Sequence, residues 1–107
     1  MAVDVAGALQ RGHEAGKERV RLCVYEFYAG TGNHTEVFPL AMRELVFTND
    51  SDATMTVQIL GINGLNVTAT IRAGEVLDER FPEFDTVVIV APTGKGWRFY
   101  PRSHLIA

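Results

Sequence analysis

The chain has almost no cysteine: Cys23 is the only one among its 107 residues. A single cysteine excludes a disulfide within the chain and a zinc site built from cysteines. Cys23 lies in the apolar run 20–27, where we expect a buried and unreactive thiol. The fold must therefore be held by its own hydrophobic core, and a chain of this length can build one.

Positive charge and long apolar runs are also scarce. Ten Lys and Arg residues stand against thirteen Asp and Glu residues, so we expect no basic surface for nucleic acid. No apolar run approaches the roughly 20 residues that span a bilayer. The first residues lack the basic and apolar regions of a secretory signal. We therefore expect a protein of the reducing cytoplasm, with no membrane partner and no direct nucleic-acid partner.

Catalytic motifs are missing as well. Serine occurs only twice, and never in the Gly-x-Ser-x-Gly arrangement of a serine hydrolase. The three histidines His13, His34 and His104 have no metal-binding spacing. His34-Thr-Glu36 comes nearest to a cupin-like ligand pair, but the second histidine two residues on is missing. The sequence therefore predicts no catalytic residues, no metal and no cofactor, and we do not expect an enzyme.

Two kinds of loop resemble ligand sites and have a simpler interpretation as turns. The segment 49–52, Asn-Asp-Ser-Asp, could give oxygens to Ca²⁺, but it lacks the glycine and distal glutamate of an EF-hand loop. An Asx turn accounts for the same residues without an ion. The glycine pairs in 30–32 and 94–96 lack the spacing of a phosphate-binding loop, so we interpret them as turns too.

The segment 43–60 is the most informative part of the sequence. Two β-rich runs flank the turn residues 49–52, and this arrangement predicts a hairpin. In the second run apolar and polar residues alternate with a period of two, which places one set on a buried face. The buried set is predicted to be Met55, Val57 and Ile59, and the outward set Thr54, Thr56 and Gln58.

Further strands and turns follow this hairpin and also precede it. The predicted strands are 19–28, 35–40, 65–72, 76–81, 86–91 and 97–102. Turn residues separate them at 29–33, 61–64, 73–75 and 92–96, and the last of these is predicted to be a hairpin loop. Strands at this spacing are typical of a small antiparallel β-sandwich or jelly-roll-like barrel. We therefore predict an all-β domain of about seven to eight strands.

The first residues differ from the rest of the chain. Residues 1–18 contain three glycines, several alanines and mixed charges, and few apolar side chains that could dock on a core. They are predicted to form a flexible or partner-ordered N-terminal arm, and an ordinary frayed terminus explains them equally well. Residues 19–107 form the β-sandwich domain of the prediction.

Aromatic residues supply the candidate contact site. Trp97 and Tyr100 could form a platform for stacking on sugars, or the centre of a protein interface together with Phe99. They could equally cap the core of the domain. Pro39 predicts that its strand lies at an edge of the sheet or ends there, and an edge strand can be covered by another subunit.

Five segments between 44 and 102 form a recognisable pattern: Leu-Val-Phe-Thr-Asn-Asp-Ser at 45–51, Thr-Val-Gln-Ile at 56–59, Ile-Arg-Ala-Gly-Glu at 71–75, Phe-Asp-Thr-Val-Val-Ile at 84–89 and Gly-Trp-Arg-Phe-Tyr at 96–100. With this pattern the sequence resembles small β-sandwich accessory proteins of tailed bacteriophage virions. The resemblance implies a structural protein of the virion, such as a capsid decoration, head-fibre or tail-associated protein, assembled in the host cytoplasm. Such a protein is a homo-oligomer that binds other virion proteins. The alternative is a carbohydrate- or ligand-binding module that uses Trp97 and Tyr100, with a glycan as partner.

Overall fold

The computed structural model describes residues 21–105, and all regular structure in this range is β-strand. The predicted arm 1–18 and His13 lie outside the described residues. The seven strands are β1 (Arg21–Val24), β2 (Tyr28–Thr31), β3 (His34–Asn49), β4 (Met55–Leu60), β5 (Asn66–Ile71), β6 (Val76–Val90) and β7 (Gly96–Leu105). For the described residues, the predictions of an all-β fold and of about seven to eight strands are confirmed.

All seven strands belong to one open antiparallel sheet instead of the two sheets of a sandwich. The strand order is β1-β7-β3-β6-β4-β5, and β2 also pairs with β7. The long strands β3 and β6 connect two halves of the sheet. The second half of β3 pairs with β7 and with the start of β6, while the end of β6 pairs with β4. Core residues from both halves form one cluster, so a single core serves the whole sheet.

Two predicted hairpins do not exist as such. β3 and β4 do not pair, because β6 lies between them, and β6 and β7 do not pair, because β3 lies between them. The period-two pattern determines which face of a strand is buried, but not which strand lies beside it. That choice is made by contacts between distant parts of the chain. The predicted turn at 61–64 is confirmed, and the strands that it joins, β4 and β5, pair with each other.

The predicted first strand, 19–28, is β1 in its described part, and the predicted turn at 29–33 is for the most part a second strand, β2. β1 and β2 both pair with β7, and residues 25–27 lie between them. The backbone N–H of Tyr25 donates to the carbonyl of Pro101 at 3.0 Å, which holds this connection against β7. Cys23 is a free thiol in β1 and only partly buried, so it is less enclosed than predicted.

Pro39 lies inside β3 and not at a strand end. The part of β3 that contains it pairs with β6 alone, so it is locally at an edge of the sheet, although β3 lies between β7 and β6 further along. The pairing of β3 with β6 is irregular between Val37 and Met42, and the pairing with β7 starts only at Glu44. Proline has no N–H to donate, and a bulge is the one place in a central strand where this loss breaks no ladder bond.

Alternation along the strands builds the core as the sequence predicted. Met55, Val57 and Ile59 are buried, and the residues between them are partly exposed. Aromatic rings fill the space under β3 and β7, where the rings of Phe47 and Phe99 stack with centroids 6.2 Å apart. Each such fully buried side chain contributes about 1.5–3 kcal/mol relative to an exposed one.

Candidate functional site

The period of β7 separates the predicted site residues. Trp97, Phe99 and Pro101 face the core, while Arg98, Tyr100 and Arg102 face outward. Trp97 and Tyr100 are three residues apart and therefore lie on opposite faces of the strand. The two rings do not form one platform.

Trp97 and Phe99 are part of the core. The side chain of Trp97 is 4% exposed, and its indole Nε1–H donates to the carbonyl of Gly32 at 2.9 Å. A Cβ atom at Gly30 would lie 2.8 Å from the Trp97 ring, so glycine is required where β2 crosses it. Phe99 is 2% exposed and stacks on Tyr28 at 4.7 Å. These contacts favour the interpretation that the two rings close the core.

The outward side of β7 forms a different site, which we call the outer patch. Tyr100 lies across from Val46 of β3, and Thr48 lies across from Arg98. Phe27, directly before β2, is 72% exposed, and its ring contacts that of Tyr100 at 5.1 Å. The outer patch consists of Phe27, Val46, Thr48, Arg98 and Tyr100. Together with Tyr28, Ala29 and Phe99 these residues line a pocket of about 260 Å³.

Charged side chains surround the outer patch in fixed pairs. Glu44 of β3 accepts hydrogen bonds from Arg80 of β6 at 3.0 and 3.1 Å and from Arg102 of β7 at 3.1 Å. Its carboxylate thus joins three neighbouring strands on the outward face. The guanidinium carbon of Arg102 also lies 5.4 Å from the centroid of the Tyr100 ring, a cation–π distance. These contacts orient Tyr100 at the border of the patch.

A second set of ion pairs lies at the end of the sheet near 49–52. Arg98 donates to Asp50 at 2.8 Å, and this hydrogen bond raises the pKa of Arg98. Lys95 donates to Asp52 at 2.7 Å, which lowers the pKa of that carboxyl. The side chain of Asn49 accepts from the backbone N–H of Ser51 at 2.9 Å, the bond that defines an Asx turn. The turn prediction is confirmed for this loop.

The possible metal ligands stay apart in residues 21–105. No group of three or more His, Cys, Asp or Glu side chains in that range could hold a metal ion. His34 and Glu36 are 2.9 Å apart, and the His34 ring also packs against Trp97 at 5.3 Å. The side chains of His34 and Glu36 lie on the same side of β3, and a hydrogen bond joins them at the surface of the core.

The Tyr28 phenol is expected to lose its proton at a higher pH than an ordinary tyrosine does. Burial, followed by the negative charge of Glu26, raises the pKa of Tyr28 to about 12, whereas a tyrosine in an unfolded chain titrates near 10. The folded chain binds the Tyr28 phenol proton more tightly than the unfolded chain does, so the protonated phenol stabilises the fold. This stabilisation is complete below a pH of about 10 and is lost as the pH rises through about 12. Unfolding free energies measured across this range should fall less steeply for Tyr28→Phe than for the natural chain.

The control for this titration is Tyr100→Phe, which leaves in place both the Tyr28 phenol and the groups that raise its pKa. Its unfolding free energy should keep the steeper alkaline fall of the natural chain. If Tyr28→Phe and Tyr100→Phe give the same pH profile, Tyr28 does not carry the effect.

Sequence reasoning identified Tyr100 but missed its neighbours. Nothing in the sequence distinguishes Phe27 from the other aromatic residues, and its position beside Tyr100 follows from the break between β1 and β2, which has no sequence signal. The sequence indicates only weakly that Val46 and Arg98 face outward, through their alternation with buried residues on their strands. Their partnership depends on the pairing of β3 with β7, which was not predicted.

The comparisons with known proteins leave the site to be interpreted from its own geometry. The part of the chain from 21 to 105 has no helix that is long and apolar enough to cross a membrane. Neither a family model, nor a curated protein, nor a solved structure matches the sequence or the fold.

Proposed function

We propose that the chain is a non-enzymatic structural protein that associates with copies of itself and binds a larger protein assembly. The sequence resemblance suggests a bacteriophage virion as that assembly, with a role in capsid decoration, a head fibre or the tail. The observation that carries the proposal is the outer patch, an aromatic and apolar surface on the outward side of an otherwise polar region.

The composition of the outer patch matches that of protein interfaces. Phe27 exposes most of a large apolar ring, and Val76, on the strand beside Thr48, is also more than half exposed. Contiguous apolar surface of this kind marks interaction sites. Tyrosine, phenylalanine and arginine are enriched in such sites, and Tyr100, Phe27 and Arg98 lie together here.

The border of the patch suits a protein partner too. Arg102, Glu44 and Arg80 form a connected polar rim on one side, and Arg98 with Asp50 forms another. A central apolar contact enclosed by hydrogen-bonding groups is the usual anatomy of a protein interface. The rim residues are held by contacts within the chain, so binding orders few additional side chains and loses little entropy there.

A ligand-binding module is the second candidate function. The pocket of about 260 Å³ beside Tyr100 favours it, because aromatic rings with polar neighbours also bind sugars and other small molecules. Trp97 cannot take part without leaving the core. This candidate therefore depends on Tyr100 and Phe27.

Sedimentation tests the proposed function. A tagged chain, produced in the cells that make the protein, should sediment with large particles in a density gradient. The double variant Phe27→Ser/Tyr100→Ser should remain with small proteins. The matched control Ile62→Ser/Val90→Ser changes two exposed apolar residues outside the patch and should sediment like the natural chain. A natural chain found only among small proteins would contradict the proposal, and glycan-array binding lost in Tyr100→Ala would then establish the second candidate.

A further inference from the structure

The edges of the sheet differ in how they are protected against another strand. An edge strand exposes backbone N–H and C=O groups that can pair with a second chain. Natural proteins protect such edges with charges, prolines, bulges or interruptions. Among residues 21–105, three of the four edge regions carry such a protection and the strand β5 does not.

The three protected edges are protected in different ways. β1 and β2 are four-residue strands separated by residues 25–27. The start of β6, which pairs only with β3, carries three consecutive charges, Asp78, Glu79 and Arg80. The start of β3 carries Glu36 and leads into the bulge at Pro39.

β5 is regular, uncharged and paired on one side only. Its sequence, Asn-Val-Thr-Ala-Thr-Ile, contains no charged residue and no proline. It pairs with β4 over six consecutive residues without a register shift, and β4 is its single strand partner in the described range. Asn66, Thr68 and Thr70 are exposed, while Val67 and Ala69 are only half-buried. The strand therefore offers a straight edge and some apolar surface that a further strand would cover.

We propose that β5 is the edge through which two copies of this chain associate, by antiparallel pairing of β5 with β5 of the second copy. This inference rests on the proposed function, whose self-association it locates. A twofold axis makes the two contacting surfaces identical, so the edge must be complementary to itself. Addition of a strand to an open edge is a common mode of protein recognition.

The sequence of β5 is complementary to itself in the registers that symmetry allows. Residues directly opposite each other in an antiparallel pair point to the same face. In a twofold-symmetric pair this condition holds only if the axis passes between one residue and the same residue of the second copy. The central residues of β5, where the axis would lie, are Thr68 and Ala69. An axis through Thr68 places Thr68 against its own copy and Val67 against Ala69. An axis through Ala69 places Thr68 against Thr70.

Both registers give favourable pairs and no charge repulsion. Threonine pairs across strands are stabilising through their hydroxyl groups, and like charges directly opposite each other are destabilising. The outward face of the joined sheets would carry Thr68 and Thr70 in such pairs. Val67 and Ala69 would be covered on the other face. A second copy therefore fits this edge better than a charged peptide does.

Charge substitutions on the outward face of β5 test the inference. Thr68→Lys/Thr70→Lys places lysine opposite lysine in both registers, and both side chains are exposed, so the single chain keeps its fold. The control Thr35→Lys/Thr93→Lys adds the same charge at two exposed threonines outside β5. Light scattering across a concentration series should show twice the chain mass of 11.8 kDa for the natural chain and for the control. The dissociation constant of the β5 variant should be at least about tenfold higher.

A mixing experiment distinguishes charge repulsion from damage to the fold. Thr68→Glu/Thr70→Glu should associate as weakly with itself as the lysine variant does, and an equal mixture of the two should restore dimers. A β5 variant that dimerises like the control would overturn this inference while leaving the proposed function standing. A natural chain that remains a monomer at every concentration would overturn both this inference and the proposed self-association, and the sedimentation result would then decide only the binding to a larger assembly.

Discussion

Asn49→Asp is expected to lower the free energy of unfolding by about 3–5 kcal/mol at neutral pH. Asn49 is fully buried, and its Nδ2 group lies within hydrogen-bond distance of three backbone carbonyls, those of Ala53 at 2.7 Å, Ile71 at 3.0 Å and Arg72 at 3.1 Å. Aspartate has the same shape but places a carboxylate oxygen against these three oxygens. The other carboxylate oxygen would keep the two donors of Ser51, but a buried charge with one oxygen held against three acceptors is strongly destabilising.

The same residue joins two parts of the chain that are far apart in sequence. The backbone N–H of Asn49 donates to Glu75 at 3.0 Å, and its carbonyl accepts from Gly74 at 3.1 Å. The side-chain amide bonds both to the loop after β3, at the carbonyl of Ala53, and to the segment before β6, at the carbonyls of Ile71 and Arg72. Loss of the amide therefore loosens both segments. At low pH the decrease in unfolding free energy caused by Asn49→Asp should be smaller. The introduced carboxyl can donate a hydrogen bond while it is protonated, so the deficit grows as the pH rises and burial no longer keeps the proton in place.

The control is Asn63→Asp, which makes the same change at an exposed turn residue. We expect it to alter the unfolding free energy by no more than about 0.5 kcal/mol. Urea denaturation followed by circular dichroism measures both variants. An Asn49→Asp protein that is as stable as the Asn63→Asp protein would mean that Asn49 is not the connection between these loops.

The sequence was sufficient to predict which faces of the strands are buried. Alternation at Met55, Val57 and Ile59 identified the inner face of β4, and the turn residues at 49–52 identified the Asx turn. These are local properties, because a side chain two residues on always returns to the same face. Turn chemistry is local too, since the asparagine side chain bonds to its own backbone.

Strand partners could not be predicted in the same way. β3 runs through 16 residues, and a bulge around Pro39 lets its two halves meet different neighbours. The turn residues 49–52 predict a hairpin, yet the loop they open takes the chain past β6 to the far side of that strand. Pairing between distant segments depends on the packing of the whole core, which no short pattern contains.

The candidate site contains one feature that the sequence could predict and one that it could not. Opposite faces for Trp97 and Tyr100 follow from their odd spacing on one strand, so the sequence alone could have separated them. The proximity of Phe27 to Tyr100 could not have been predicted, because it needs the break between β1 and β2 and the pairing of both with β7. Residues that form a surface together are therefore harder to predict than residues that are buried.

Trp97→Ala is expected to destabilise the fold by about 3–5 kcal/mol. The indole is buried against Phe47 and Phe99, with ring centroids 6.4 and 5.7 Å away, and it also covers Gly30. Alanine would leave a cavity between β2 and β3, and the carbonyl of Gly32 would lose its donor. Trp97→Phe keeps most of the packing and loses only the donor, so we expect about 1–3 kcal/mol there.

Tyr100→Ala is the matched comparison, since Tyr100 lies on the same strand with its ring on the outer patch. A half-exposed ring leaves no closed cavity, so we expect its loss to cost about 1 kcal/mol and to affect binding instead. Chemical denaturation, followed by circular dichroism because Trp97→Ala removes the only tryptophan, compares the two. A Trp97→Ala chain within about 1 kcal/mol of the natural stability would make Trp97 a candidate binding residue again. The expected order, with Trp97 deciding stability and Tyr100 deciding binding at the outer patch, follows from the two faces of β7.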